Sequence, residues 1–550
     1  MMSPPHAPNL PDLLHAQPWR RIDTEATDLA IVMAFAGGAS PGLFPDTLDQ
    51  ANMAPSTWEP RMYARDLFVR QFVESCFRIG PERRTPLALR HLARVLGSPP
   101  SDLTTVEYRR RIVTELLDNA ELRSALERLY ATVLRFRALL EGGGPNIDPN
   151  RRQLEVLASF KAIVEMLDEE FADARSGLGR LHAFGHSVRA TEGFRSLLDL
   201  LKYDEQLARV TFKVNIGADG RVRRLDLIAV EESDRNVFVS SPWRRFLAKL
   251  ELLARGYRFG NGEVVARLLD AVFEGVRENV VPLVQLLGDL EFYLGALGFY
   301  DQAREAGLRM SLPELVAAKS PRRLCELFNP LLLGHGITPI PCTIETDRHD
   351  TIVLVTGPNS GGKTRLLQSL GLAQLMAQSG LFIPASSGQV ALTPRLVVSL
   401  IQETQVDQTE GRLGVELMRI RSLFEHLPPG AMVILDELCS GTNPSEGEEI
   451  FELVVRMLTQ LSPQAFITTH FLTFASRLAT ESKIEELRYL QVLLDDRQGA
   501  TYQFGPGVAT TSLAAQAAAR LGVTGDQLSA LIEQNVRRSQ ALDVPADGRV

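Results

Sequence analysis

Thr351-Ile352-Val353-Leu354-Val355-Thr356-Gly357-Pro358-Asn359-Ser360-Gly361-Gly362-Lys363-Thr364 is the stretch on which the reading of this chain turns. Its first six residues form a short run that is apolar on both faces, which suits a strand buried inside a parallel or mixed sheet. The last eight fit GxxxxGK[ST], and a helical pattern follows from Arg365. Strand, glycine-rich loop and helix in that order are the setting a phosphate-binding loop requires. Glycines let backbone N–H groups turn inward around phosphate oxygens, and the helix N-terminus adds partial positive charge. Gly357, Pro358, Asn359, Ser360, Gly361, Gly362, Lys363 and Thr364 are therefore the expected nucleotide-binding set. Lys363 is expected on the β- and γ-phosphates and Thr364 on Mg²⁺.

Two downstream signals complete the pattern. Met432-Val433-Ile434-Leu435-Asp436-Glu437 is a buried strand ending in paired carboxylates, the Walker B arrangement. Asp436 is expected in the shell of the Mg²⁺, and Glu437 is expected to orient or deprotonate the attacking water. Thr468-Thr469-His470 ends another apolar run, and His470 is the candidate for reading the γ-phosphate. Further short apolar runs at 396–401 and 465–468 alternate with helical patterns at 365–378, 415–426 and 446–461. Strands alternating with helices indicate an α/β layer fold.

Upstream the texture is helical. Apolar residues recur at three- and four-residue steps over 107–140, 154–171, 193–207, 244–253 and 263–300. Loop chemistry interrupts them at Gly142-Gly143-Gly144-Pro145. The segment 209–231 differs, since its residues alternate around Ala218-Asp219-Gly220 and predict a β-hairpin. The helical region is expected to give way to the α/β region between Leu315 and Asn329.

The 550 residues allow about two to four domains. Four scattered cysteines without CxxC spacing argue against a zinc site or a disulfide framework and fit a reducing cytoplasm. Residues 29–44, the most apolar early stretch, are too few to span a bilayer, and no membrane partner is expected. Met1–Pro11 reads as a short disordered arm. The net charge of −8 counts against a large nucleic-acid footprint, although a clamp needs only a local basic lining.

TGPNSGGKT at 356–364 resembles the phosphate loop of the MutS family, in which Pro-Asn follows the first glycine. Gly380-Leu381-Phe382-Ile383-Pro384-Ala385 is similar to the segment after that family's first ATPase helix. Leu435-Asp436-Glu437-Leu438 with Gly441-Thr442 is similar to its acidic block, and Thr469-His470 to its Thr-His pair. Tyr502–Leu521 looks like the stretch leading to a helical dimerisation element. The likeness is dense over 329–531 and weak upstream.

The resemblance implies a multidomain protein: an N-terminal arm and helical region (1–104), a mainly α-helical core and lever region (105–320) and an α/β ABC-type P-loop ATPase domain (321–550). It implies ATP and Mg²⁺ as cofactors and a cytoplasmic, nucleoid-associated homodimer on duplex DNA, acting in mismatch repair or related repair and recombination. A repair-protein partner would remain to be identified. In such a dimer Gly411 and Arg412 are candidates for completing the site of the second copy, where the family has a Ser-Thr pair. Arg412 reads equally well as a surface residue.

Other departures weigh on the DNA reading. Phe72-Val73-Glu74 fits an aromatic-x-Glu wedge but lies in a helical pattern, where a core Phe and a solvated Glu are expected. Pro339 stands where an aromatic often stacks on adenine. No nuclease-like domain follows the helical element, so the ribosome- or recombination-associated branch that carries one is expected to match less well. Basic clusters occur at Arg83-Arg84, Arg109–Arg111, Arg151-Arg152, Arg221–Arg224, Arg244-Arg245 and Arg322-Arg323. The hairpin group, Lys213, Arg221, Arg223 and Arg224, is the expected DNA contact, because alternation puts some of its members on one face. The alternatives are a nucleotide-dependent scaffold for a protein or an RNA-containing assembly, and a transporter-type ABC subunit. The long helical half and the lack of an LSGGQ-type signature argue against the transporter.

Overall fold

The computed structural model describes residues 10–38, 40–142, 149–205, 209–216, 222–231, 261–358, 360–400, 412–439, 443–481, 484–497, 499–511 and 523–542. They form two compact units, one of residues 1–56, 76–301 and 379–381, the other of 57–75, 302–378 and 382–550. The change of sequence texture expected at 320/321 is thus a different partition from the spatial one.

The first unit is helical. The periodic run 107–140 is not one helix but two, Leu103–Asp118 and Ala120–Leu140. Asn119 makes the break by leaving the helical region, and its side chain accepts the N–H groups of Glu121 at 3.0 Å and Leu122 at 3.1 Å. An N-cap of this kind satisfies donors that have no partner within the helix. Helices Pro149–Glu170, Gly179–Arg189 and Glu192–Glu205 follow. Strands β1 (Arg209–Ile216) and β2 (Val222–Glu231) pair antiparallel as the predicted hairpin. The helix expected over 244–253 lies outside the described residues.

The helix Asn261–Glu305 belongs to the first unit as far as Asp301. Its part Ala266–Glu305 is long and apolar enough to cross a membrane by length and composition, and the apolar window is wholly buried inside the protein. Glycine lets neighbours approach this helix closely. A Cβ on Gly298 would lie 1.7 Å from the Arg78 carbonyl oxygen, so no larger residue fits without a shift.

A helix buried on every side must satisfy its polar residues internally. The Glu291 carboxylate accepts the backbone N–H groups of Leu87 at 2.8 Å and Ala88 at 2.9 Å, and the Tyr130 hydroxyl at 2.8 Å. Asp289 accepts the Leu13 amide at 2.9 Å and pairs with the buried Arg21. The reading of Met1–Pro11 as a disordered arm is corrected at its end, since Leu10 and Pro11 are buried. The irregular backbone that follows is held by side chains: the Tyr293 hydroxyl donates to Leu13 O at 2.6 Å and Arg109 Nε to Leu14 O at 2.8 Å.

His91 in this unit is fully buried, with Nδ1 3.0 Å from the Leu48 carbonyl. Burial, and then the charge of Arg21, hold its imidazole down at about 3. A His pKa depressed by folding means that the unfolded chain binds the extra proton below about pH 6.5. Its contribution is therefore complete above that pH and is lost as pH falls toward 3. Lowering pH from 7 to 5 is expected to cost about 2 kcal/mol through this residue. Urea denaturation of wild type and His91→Gln at both pH values checks it: the variant should lose less stability on acidification, and equal losses would remove His91 as the cause.

Among the described residues, the second unit contains two sheets. One is four-stranded in the order β3 (Glu314–Leu315), β7 (Ser387–Val390), β4 (Arg322–Leu327), β5 (Cys342–Thr346). β3 lies within the stretch expected to be mainly helical, 105–320, and β4 lies in the expected changeover between Leu315 and Asn329. The other sheet is six-stranded in the order β12 (Ala500–Pro506), β11 (Leu487–Leu494), β6 (Ile352–Thr356), β10 (Gln464–Thr468), β9 (Met432–Leu435), β8 (Leu396–Ser399). All neighbours are parallel except β12 on β11. Helices Lys363–Gln378, Arg412–His426, Pro444–Thr459 and Leu472–Glu481 connect the strands. Residues 57–75 join this unit over a long sequence distance, with Trp58 Nε1 donating to Thr393 O at 3.0 Å and Leu400 N to Asp66 at 3.1 Å. Phe72 is fully buried and Glu74 pairs with Arg70, so Phe72-Val73-Glu74 is core packing plus a surface ion pair.

Candidate functional site

β6, β10 and β9 lie side by side and parallel, so their C-terminal ends, Thr356, Thr468 and Leu435, open at one edge of the sheet. Ligands in open α/β sheets bind beyond the carboxyl ends of the strands. After Thr356 the chain turns at Gly357, whose φ of 137° lies in a region that L side chains rarely adopt. A Cβ there would meet Val492 Cγ2 at 2.6 Å, and one on Gly361 would meet the same atom at 2.8 Å. The loop closes with Gly361 N donating to Pro358 O at 2.9 Å, and the helix begins at once at Lys363. Asn359 lies outside the described residues.

Lys363 is buried and returns to the loop before it, its Nζ donating to Gly357 O at 2.9 Å and Pro358 O at 3.1 Å. Burial lowers its pKa, opposed by the charges of Glu437 and then Asp436. The next residue reaches across to the acidic strand end, where the Thr364 hydroxyl donates to Asp436 Oδ2 at 2.5 Å. The other carboxylate oxygen, Oδ1, accepts from the Thr468 hydroxyl. Thr468 Oγ1 in turn accepts the Glu437 amide at 2.8 Å. One threonine at the end of β10 thus fixes both acidic residues at the end of β9. Glu437 itself has φ 51° and Cys439 φ 63°, a strained turn of the kind that clusters at functional sites.

His470 follows Thr468 and Thr469 and is exposed, its ring 4.3 Å from that of Phe471 between centroids. Arg412 opens the helix Arg412–His426, with its side chain outside the described residues, and Gly411 lies outside them altogether. Of the expected DNA contacts, Lys213 is on β1 opposite Asp226, and Arg223 and Arg224 are on β2. Their side chains, and the whole of Arg221, lie outside the description. Three arginines from the other basic clusters, Arg109, Arg152 and Arg322, are buried and are no part of a solvated surface.

Two residues at the site were not singled out from sequence. Thr468 was visible only as part of the run leading to His470. Its role depends on β10 lying between β6 and β9, and the order of strands in a sheet is not written in any one of them. Tyr502 on β12 is exposed, with φ 59°, and its ring lies against the loop: a Cβ on Gly362 would meet it at 3.1 Å. No local pattern points from 502 back to 362.

Comparison with known proteins adds to this geometry. Residues 353–533 match the model for MutS domain V. The chain is 30% identical over 327 residues to an Endonuclease MutS2 of Thermus thermophilus, covering 59% of this chain and 40% of that protein. It is 26% identical over 426 residues to an Endonuclease MutS2 of Streptococcus thermophilus, covering 74% and 49%. An Endonuclease MutS2 of Thermomicrobium roseum is 33% identical over 150 residues, 27% and 19%. The chain spans less than half the length of each of these relatives. Their shared name corrects the expectation that nuclease-bearing relatives would match less well.

Proposed function

We propose, starting from the match of residues 353–533 to MutS domain V, that the protein binds MgATP in an ABC-type P-loop site and hydrolyses it, working as a homodimeric clamp on duplex DNA. The observation that carries this reading is the meeting of Thr364 and Thr468 on the two oxygens of Asp436, beside a loop in which Gly357 and Gly361 leave no room for a Cβ. The donor set fits Mg²⁺, which takes hard oxygen ligands and keeps several waters: one hydroxyl and one carboxylate, Thr364 and Asp436, would hold it. Bound there, it supplies charge neutralisation for the phosphate oxygens.

The chain's own residues do the rest. Backbone N–H groups of the loop, Pro358 apart, and the start of the helix Lys363–Gln378 cradle the phosphates. Lys363 provides a cation on the β- and γ-phosphates. Glu437 accepts a proton from water as the water oxygen bonds to the γ-phosphorus and the bond to the bridging oxygen breaks, releasing ADP and phosphate. His470 stands two residues beyond the end of β10 to read the γ-phosphate. An isologous dimer gives two equivalent sites, with Gly411 and Arg412 reaching the site of the second copy. The cytoplasm, at the nucleoid, is the proposed setting, and repair or recombination the proposed service.

The ATPase rate of the purified chain, alone and with homoduplex, mismatched or branched DNA at two salt concentrations, tests the DNA half of the reading. Salt-sensitive stimulation is the expected result, and replacing Lys213, Arg221, Arg223 and Arg224 by Ala should flatten the salt dependence. Steady ATPase with no binding of any DNA would overturn the clamp and favour a nucleotide-dependent scaffold.

Thr468→Val tests the site from behind. The variant keeps the β-branched shape but leaves Asp436 Oδ1 and the Glu437 amide without the hydroxyl. Losing such an orienting partner costs roughly 10–100-fold in metal affinity. The Mg²⁺ concentration for half-maximal ATPase should rise by about that factor. An unchanged Mg²⁺ profile would show that Thr468 is only structural.

A further inference from the structure

Helices Pro149–Glu170 and Gly179–Arg189 bring together three side chains with converging donor atoms. Asp168 lies in the last turn of the first helix. His182 and His186 are four residues apart on the second and therefore share a face. His182 Nδ1 is 3.5 Å and His186 Nδ1 is 3.2 Å from Asp168 Oδ1. Each of the three residues offers a ligand atom within 4.8 Å of the other two. Ligand atoms at zinc distances of about 2.0–2.2 Å sit about 3.4 Å apart around a tetrahedron. The spacing of Oδ1 to each ring nitrogen is that of tetrahedral corners.

The surroundings orient these atoms. Arg189 holds the other oxygen, Asp168 Oδ2, at 2.8 Å, which leaves Oδ1 facing the imidazoles. Arg189 is itself paired with Glu169 at 3.1 Å, so its positive charge is shared with a second carboxylate. A ligating carboxylate that is hydrogen-bonded through its second oxygen is the usual outer-shell arrangement. The His182 and His186 rings are 5.7 Å apart between centroids, close enough to flank one ion. His182 Nδ1 also lies 2.7 Å from the Asp168 carbonyl oxygen. That carbonyl is among the last four of its helix, where no intrahelical partner exists and water can replace the ring. Asp168 is nearly buried while His186 is 73% exposed, so the cluster has a firm base and an open approach.

We propose that Asp168, His182 and His186 form a binding site for a divalent transition metal of the zinc class, which fastens the two helices together. Both imidazoles ligate through Nδ1 and keep their proton on Nε2, and the fourth position is open to water. Imidazole and carboxylate together favour zinc, nickel or copper over magnesium or calcium. The site lies in a different compact unit from Asp436 and makes no use of nucleotide.

The test uses the full chain without an affinity tag, stripped by chelator and titrated with Co²⁺ in the absence of nucleotide. The expected result is a visible tetrahedral Co²⁺ absorption, discharged by one equivalent of Zn²⁺. His182→Ala and His186→Ala should each weaken that site by more than about 100-fold, beyond the cost of losing a mere orienting partner. Asp436→Asn, which alters the nucleotide site, should keep it. Zn²⁺ should raise the melting temperature of wild type and of Asp436→Asn but not of the histidine variants. Circular dichroism of the metal-free histidine variants, matching wild type, excludes misfolding as the cause. Equal Co²⁺ spectra and equal Zn²⁺ stabilisation in wild type and the histidine variants would overturn the proposal, leaving an ion-paired surface cluster.

Discussion

ATP hydrolysis in Glu437→Gln is expected to fall by about 10²–10⁴-fold while ATP binding persists, because the change removes a proton acceptor and little else. Gln has the same length, so it keeps the packing of the turn after β9. Its backbone amide still donates to Thr468 Oγ1, as Glu437 does at 2.8 Å. Asp436, with its two threonine donors, is untouched, and so is Lys363. Single-turnover phosphate release and equilibrium ATP binding on the same preparation separate the two effects. Lys363→Ala is the contrasting variant, expected to lose binding as well, since it removes the cation at the loop. Normal turnover in Glu437→Gln would sink the assignment of the base, whatever the loop does. Loss of binding together with turnover would point instead to a collapse of the strained backbone at φ 51°.

The parts of this site that were legible in sequence are those in which local composition and local geometry coincide. Runs apolar on both faces predicted strands at 351–356, 396–401, 431–435 and 465–468. They appear as β6, β8, β9 and β10 within a residue or two at each end. Such runs stand out because a strand covered on both sides is built almost wholly of apolar residues. β5 was not singled out. Cys342–Thr346 alternates between buried and exposed positions, a weak signal over five residues beside the glycine- and proline-rich 334–341. β7 carries Ser387, Gly388 and Gln389 and owes its place to pairing with β3 and β4.

Long-range placement was the part that could not be read. Trp58 and Asp66 look like any residues of a helical region, yet they bond to Thr393 and Leu400. Nothing local ties a residue to a partner more than 300 positions away. Arg322-Arg323 shows the same limit for charge. The pair reads as a basic surface cluster, but strand alternation on β4 turns Arg322 inward. There it donates to Gln464 and lies over the Phe466 ring, while Arg323 pairs with Glu345 at the surface.

Asp289→Ala is expected to destabilise the helical unit by about 3–5 kcal/mol, the cost of breaking a buried ion pair by removing one partner. Arg21 is buried, and its Nε and Nη1 have no hydrogen-bond partner among the described residues, so Asp289 carries most of its compensation. Removing the carboxylate also leaves the Leu13 amide without its acceptor. The two acids of the cluster differ in how well their charge is supported. Burial raises the Asp289 carboxyl, and the nearby Asp12 charge adds to that, against the pull of Arg21. At Asp12 burial is outweighed by His15, Arg21 and the Trp19 amide, and its carboxyl is held down at about 2. Asp12 is therefore the acid that carries the negative charge most firmly, and Asp289 is the one for which a neutral substitute should be tolerated best. Asp289→Asn keeps an oxygen for the Leu13 amide or for Arg21, and should cost clearly less than Asp289→Ala. The double variant Arg21→Met with Asp289→Leu should recover much of the loss, because it buries neither charge. Denaturant unfolding of the three variants separates the outcomes. If Asn is as costly as Ala, ionised Asp289 is what the fold requires. If Ala costs under about 1 kcal/mol, the typical scale of a surface pair, the ion pair is not what anchors the N-terminal segment to the long helix.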